Sequence, residues 1–457
     1  MTADLRPYPE YRDSGLPWLG RIPDHWEARR NGRLFAQRNE TGHGGLPILE
    51  VSLKTGVRVR NMDDPRRKQV MNDREKYKRA AKGDIAYNMM RMWQGAVGVS
   101  PEDGLVSPAY VVARPYPEAE PRFFSYLFRT DAYKNEVDGY SRGIVKDRNR
   151  LYWEDFKRMP SCVPPLDEQE AIADYLDANA VKVRRFIRNR RRLIEVLNEQ
   201  KQAIINRAVT RGLDPNVPVK PSGIDWLGDV PEHWRLGRIK TELVNLNTRR
   251  VPLNGPERGK MTNRQYDYYG ASGVIDKVDD FLFDDELLLI AEDGANLVLR
   301  NLPLAIIARG KFWVNNHAHI LKPQRGSLEY FAALLECIDY SPWISGAAQP
   351  KLTQDRLMAV RIPIPPEPEQ TVIANWIENN TSHLDVAIDK AKREIDLIGE
   401  YRTRLIADVV TGKVDVRHLA PAPGDEPVEP EELAESIEDD ETQADDEPEL
   451  VEEATDE

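Results

Sequence analysis

The sequence predicts an α+β protein built as two half-molecules, each a mixed α/β domain joined to a long helix. The two helices are expected to pack as an antiparallel coiled coil about a pseudo-twofold, with a disordered acidic tail after them. Three observations lead there: two phrases that each occur twice, an apolar stripe at heptad spacing, and a strongly uneven charge distribution.

The first phrase, DSGLPWLGRIPDHW at 13–26, returns as PSGIDWLGDVPEHW at 221–234, an offset of 208. The second, VPPLDEQEAIADYLD at 163–177, returns as IPPEPEQTVIANWIE at 364–378, an offset of 201. The second offset also pairs LYWEDF (151–156) with LTQDRL (352–357), and INRAVT (205–210) with IADVVT (406–411). A single copy of the first phrase would be a structural cap, aromatics packed under a proline turn. Its duplication is what points to function. The intervening stretches, roughly 35–150 and 243–350, show no visible match. The frames are duplicated and the middles have diverged.

Each second phrase opens a long helix. Its prolines close an extended segment, and its acidic residues suit a helix N-terminus. Apolar residues then recur in steps of three, four and seven. They are Ile172, Leu176, Val183, Ile187, Ile194, Leu197, Ile204 and Ala208 in the first copy. In the second they are Ile373, Ile377, Leu384, Ile388, Ile395, Ile398, Leu405 and Val409. This is a heptad stripe. A helix of about 40–45 residues spans ~60–68 Å and cannot bury such a stripe alone. Pairing the two helices is the simplest remedy. Asn179 and Asn380 fall on the stripe, either as a register device or as tolerated polar positions. Between the halves, TRGLDPNVPVKPSG (210–223) reads as a linker.

The middles mix strand-like runs such as PILEVSL, GDIAYNM, AVGVS, FLFDDELLLIAEDGAN, LPLAIIA and HAHILKP with two helix-like stretches, PRFFSYLFRTDAYKNEV and LEYFAALLECI. They also hold basic clusters. The first has Arg58, Arg60, Arg66, Arg67 and Lys68, then Arg142, Lys146 and Arg148. The second has Arg249, Arg250, Arg258, Lys260 and Arg264 beside Tyr266. Lys351 lies near its end. Basic, amide and aromatic side chains so interleaved suit phosphate anchoring and base reading. They equally suit a solvated surface. The same two readings stay open for KVRRFIRNRRR (182–192) on the first long helix.

The net charge of −12 conceals an imbalance. Residues 421–457 hold eighteen carboxylates and no Lys or Arg, so residues 1–420 carry +6. The acidic block should be disordered, and the body is basic enough for a nucleic-acid partner. A hydrophobic content of 40% with 31% charged residues suits a globular protein. No run of about 18 apolar residues occurs, and the N-terminus lacks an apolar signal core, so a cytoplasmic location is expected. Cys162 and Cys337 lie far apart, which argues against a disulfide framework or a zinc site.

Catalytic patterns fail on inspection. GPERGKMT (255–262) has three residues between its glycines where a phosphate loop needs four. HAH (317–319) offers two imidazoles without a clear third ligand. EQK (199–201) matches a nuclease spacing, but on a helix without an acidic partner strand. Neither Pro-Pro pair has the Asn or Asp and the aromatic of an amino-methyltransferase loop. No metal site or catalytic residue is expected.

Taken together, WLGRIPDHW and WLGDVPEHW, PPLDEQEAIADYLD and PPEPEQTVIANWIE, and the closing AVTRG and VVTGK resemble the specificity subunit of type I restriction-modification systems. KGDIAYNMMRMWQGAVGV and AEDGAN resemble strand-turn segments of its recognition domains. The resemblance spans about residues 10–417 and leaves the tail outside. It implies a first target recognition domain over 1–160, a conserved helix over 161–212, a linker and second recognition domain over 213–360, a second helix over 361–417, and the tail over 418–457. Each domain would read one half of an asymmetric bipartite duplex DNA target, and the helices would set the spacer. Glu168, Gln169, Ile172 and Leu176, with Glu369, Gln370, Ile373 and Ile377, would serve helix pairing or partner docking. The partners implied are two methyltransferase subunits carrying S-adenosylmethionine and motor-nuclease subunits using ATP and Mg. This chain itself would hold no cofactor. The alternatives are the specificity subunit of a methylation-only or phage-defence complex, and a coiled-coil protein-protein scaffold.

Overall fold

The computed structural model describes residues 5–61, 73–143, 149–293, 296–300, 303–346 and 350–419. The acidic tail, and Arg66, Arg67, Lys68, Lys146 and Arg148 among the candidate DNA contacts, lie outside the described residues. The chain forms two compact units: residues 1–190 with 393–457, which is discontinuous in sequence, and the continuous stretch 191–392. Each takes part of both long helices, Leu166–Arg211 and Glu367–Val410, of 46 and 44 residues.

In the first unit a four-stranded antiparallel sheet runs in the order Phe35–Arg38, Tyr110–Pro115, Ile85–Asn88, Val97–Val99. A hairpin, Leu49–Ser52 with Gly56–Val59, stands beside it. The run PRFFSYLFRTDAYKNEV, expected as one helix, is two, Pro121–Phe128 and Asp131–Tyr140. The break has a local cause. Thr130 takes an extended conformation and its hydroxyl accepts from the Tyr133 amide, capping a new helix. The core is aromatic: Trp26, Phe35, Phe123, Phe124, Phe128, Tyr133 and Phe156 are all fully buried. Ile172 and Leu176 of the first long helix and Leu405 and Val409 of the second enter the same core. Further along, Arg190 pairs with Glu394 at 2.7 Å, so the two helices run antiparallel here.

The second unit has a six-stranded mixed sheet in the order Leu243–Asn245, Ala318–Pro323, Phe283–Ala291, Ala305–Val314, Tyr266–Gly270, Gly273–Val278. Its one parallel pair joins Tyr266–Gly270 to Ala305–Val314. Ile205, Ala208 and Val209 share a core with Ile373 and Ile377. The Lys201–Asp385 ion pair at 2.5 Å lies further along, again antiparallel.

The stripe is not equally buried throughout. Ile172, Leu176, Val183 and Ala208 are covered, whereas Ile187, Ile194, Leu197 and Ile204 are half-buried. In the second helix Ile373, Ile377, Leu384, Ile388, Leu405 and Val409 are buried, and Ile395 and Ile398 half-buried. Asn179 and Asn380 are both half-buried, and the Asn380 side chain donates to the Trp376 carbonyl of its own helix, 2.8 Å away. That bond within one helix fixes no register between two. No helix among the described residues is long and apolar enough to cross a membrane.

Candidate nucleic-acid interface

Each unit is organised by a joint between its two repeated phrases. Glu27–Arg30, at the end of the first phrase, pairs antiparallel with Pro160–Val163, which leads into the first long helix. Arg235–Arg238 pairs with Arg361–Ile364 in the same way. Across the joint, Glu168 Oε1 accepts the Trp26 indole N–H at 3.0 Å, and its Oε2 lies 2.7 Å from His25 Nε2. In the second unit, Glu369 Oε1 accepts from Trp234 at 3.0 Å and Oε2 lies 2.8 Å from His233 Nε2. His-Trp and Glu recur because each Glu clamps one His-Trp pair.

The neighbouring glutamine holds the domain. Gln169 donates to the Pro164 and Glu118 carbonyls and accepts from the Glu120 amide, at the N-cap of Pro121–Phe128. Gln370 donates to the Pro365 carbonyl and accepts from the Ser327 amide, at the N-cap of Leu328–Cys337. These two short helices are therefore counterparts. Phe123, Phe124 and Leu127 correspond to Tyr330, Phe331 and Leu334, all buried. The duplication thus reaches into the middles, where the sequence shows no match. The shared signal is only an aromatic pair followed by a leucine.

Glu168, Gln169 and Gln370 are accordingly buried inside their units, at 3%, 1% and 2% exposure. They face the opening phrase and the domain, whereas Ile172, Leu176, Ile373 and Ile377 fill the seam between the helices. Tyr8, which no repeat marks, also donates to Glu168 Oε1, at 2.6 Å. Burial and that carboxylate push the Tyr8 phenol well above its ordinary pKa.

The basic candidates fall into distinct settings. Arg58 faces Glu50 across its hairpin at 2.5 Å, and Arg60 continues the same strand with its amide on the Ile48 carbonyl. Arg142 is 65% exposed and reaches Asp155. Arg249 lies over the Phe283 ring, 4.7 Å from its centroid. Arg250 and Lys351 converge on Glu292, at 2.6 and 3.2 Å. Burial alone would raise Glu292; Arg250, His319 and Lys351 outweigh it and hold the carboxyl below its ordinary range. Arg258 and Arg264 share Asp276, and Arg258 also covers the Tyr268 ring. Lys260 is exposed, and Tyr266 packs on Phe281. Arg250 and Arg258 are thus largely covered, at 17% and 23% exposure, while Arg142, Arg264 and Lys351 are 65%, 45% and 50% exposed although each also meets a carboxylate, and Lys260 is exposed.

His317 is half-exposed on Asp293, and His319 is buried between Asn247 and the Leu352 carbonyl. Their differing surroundings give them no common ligand position, and no group of three or more His, Cys, Asp or Glu among the described residues is arranged for a metal. Burial pushes the Cys162 and Cys337 thiols up to about 12. A thiol so shifted is a poor nucleophile.

Residues 231–394 match the family model of the type I restriction modification DNA specificity domain. The putative type I restriction enzyme specificity subunit S.HindORF215P of Haemophilus influenzae is 32% identical over 144 residues, 31% of this chain and 36% of that protein. This chain therefore spans about a third of that relative. The putative type I restriction enzyme MjaX specificity subunit of Methanocaldococcus jannaschii is 23% identical over 432 residues, covering 87% of this chain and 96% of that one. Among solved structures, a chain from a study of complex assembly and conformational transition in the type I R-M system matches with a TM-score of 0.60. It is 14% identical, and the match covers 85% of this chain and 98% of that one. That likeness is one of fold.

Proposed function

We propose that the chain acts as a specificity subunit of a type I restriction-modification system, a DNA-recognition rather than a catalytic subunit, and that each unit reads one half of an asymmetric bipartite DNA target. The carrying observation is the pair of matching joints, His25-Trp26 on Glu168 and His233-Trp234 on Glu369, behind two different sheets of four and six strands. Identical frames with unlike readers suit a complex that must present two surfaces to two different half-sites. The long helices, ~69 and ~66 Å by their residue counts, serve as the ruler for the unread spacer.

The same helices dock two methyltransferase subunits. On Glu367–Val410, Val372, Trp376 and Val386 are 56%, 37% and 65% exposed and fall within one narrow arc of the helix. An exposed tryptophan between valines suits a protein partner. S-adenosylmethionine would belong to those partners, and ATP and Mg to the motor-nuclease subunits. The complex acts on cytoplasmic DNA.

Methylome sequencing of a host carrying this chain with its cognate methyltransferase tests the reading. The expected result is one bipartite asymmetric motif, with one half changed when residues 35–150 are exchanged. A stable complex that methylates no motif would replace sequence reading with a scaffold role.

A further inference from the structure

Where the first unit's domain meets the two long helices, three arginines from three distant parts of the chain come together. Tyr126 of Pro121–Phe128 donates to Asp177 Oδ1 at 2.6 Å, joining that helix to the first long helix. Arg129 follows Tyr126 by three residues, and Arg184 follows Asp177 by seven, so each extends the same face. Arg402 reaches the spot from the second long helix, and its charge acts on Arg129, Arg184 and Tyr126 alike. The nearby carboxylates are already engaged: Asp174 and Asp177 bind Arg122 at 2.8 and 2.9 Å. Among the described residues Arg129, Arg184 and Arg402 make no ion pair. Arg129 donates only to the Leu53 and Lys54 carbonyls of the hairpin loop, and the Arg402 Nε is buried without an acceptor.

Burial first, and then Arg402, lowers the pKa of both Arg129 and Arg184. Half-buried like charges, with Asp177 near Arg184 but already shared by Arg122 and Tyr126, oppose folding, and a buried N–H without an acceptor adds to that cost. An anion at the junction would relieve both. Guanidinium forks match phosphate oxygens in geometry as well as charge. The loop that Arg129 holds also carries Lys54, so positive charge continues from the helices onto the domain.

We propose that Arg129, Arg184 and Arg402 form a phosphate seat that grips the DNA backbone where the first recognition domain joins the helices. This rests on the DNA-recognition reading above. It assigns the paired helices a direct, sequence-independent contact in addition to measuring the spacer.

The test uses the full chain with Arg184→Gln and Arg402→Gln, and Arg404→Gln as a charge-loss control on an exposed residue paired with Asp408. Fluorescence anisotropy with an arbitrary 40-bp duplex is followed from about 50 to 300 mM salt. Each seat variant should lower the salt slope by about one and weaken binding to every sequence, beyond any change in the control. Thermal melts at fixed ionic strength should show sulfate stabilising the parent chain more than either seat variant. Unchanged slopes in variants that still bind DNA would overturn the seat and leave the DNA reading intact. A parent chain that binds no duplex, alone or with its methyltransferase, would overturn both, and a lost sulfate effect would then assign the seat to another anion. A variant effect that vanishes on deleting residues 420–457 would make the chain's own acidic tail the occupant and overturn the proposal.

Discussion

Replacing Glu168 by alanine should destabilise the first unit far more than the matching change at Glu369 destabilises the second. Glu168 is 3% exposed and Oε1 serves two donors, the Tyr8 hydroxyl and the Trp26 indole, whose residues are 3% and 0% exposed. Each buried donor left without an acceptor costs about 1–3 kcal/mol. His25 is 41% exposed and can turn to water, so it adds little. The expected loss is about 3–5 kcal/mol for Glu168→Ala. Glu369 is 30% exposed and serves one buried indole and the half-exposed His233, so water can replace it and the loss should be about 1–2 kcal/mol. Glu168→Gln separates geometry from charge. It keeps the Oε1 acceptor for both buried donors and should cost about 0.5–1.5 kcal/mol. Urea titration of the full chain, with hydrogen exchange assigning each transition to its unit, reads the difference. A loss of 3–5 kcal/mol shifts the first unit's midpoint by ~1–2 M. Equal shifts for Glu168→Ala and Glu369→Ala would refute the argument that buried donors set the cost.

Gly412→Ala should cost at least about 1–2 kcal/mol, because φ is +77° there and the added Cβ would collide with the Pro23 ring. Gly399→Ala, inside the second long helix with open space at its Cβ, should instead stabilise by about 0.5–1 kcal/mol; paired thermal melts check both signs. His319 is buried, which lowers its pKa below the ordinary ~6.5. Below that pH the unfolded chain binds a proton that the folded one resists, so the second unit's stability should fall as pH drops through it. His319→Gln should flatten that slope in urea melts from pH 8 to 5. The facing Glu292, whose pKa is lowered, would take up its proton only at more acidic pH, outside this window. Trp376→Glu should abolish co-purification with the methyltransferase while leaving the unfolding midpoint of the second unit near that of the parent, since Trp376 is 37% exposed and lies outside that unit's buried core.

The sequence already contained the helices and the frame. Heptad spacing from Ile172 to Ala208 and from Ile373 to Val409 is a local pattern, because helical pitch turns spacing directly into a face. The repeated His-Trp and Glu-Gln pairs were visible as repetition. That they bind each other was not, because His25 and Glu168 are 143 residues apart and nothing local joins them. For the same reason the sequence does not tell that Glu168 meets the opening phrase while its neighbour Gln169 holds the domain at Glu118 and Glu120.

The basic clusters show the limit most plainly. Arg250 and Arg142 are equivalent on paper, yet Arg250 is 17% exposed on Glu292, while Arg142, which also reaches a carboxylate on Asp155, is 65% exposed. Only the fold decides how far a charge is buried. Arg129 and Arg402 carry no pattern at all. Their meeting with Arg184 depends on two helix faces and a domain helix closing on one point. Sequence by itself determined the duplicated frame and the paired helices, because repetition and periodicity are properties of order along a chain. Tertiary structure alone decided which residues lock the frame and which are left with charge to spare, because electrostatics and burial depend on distance through space.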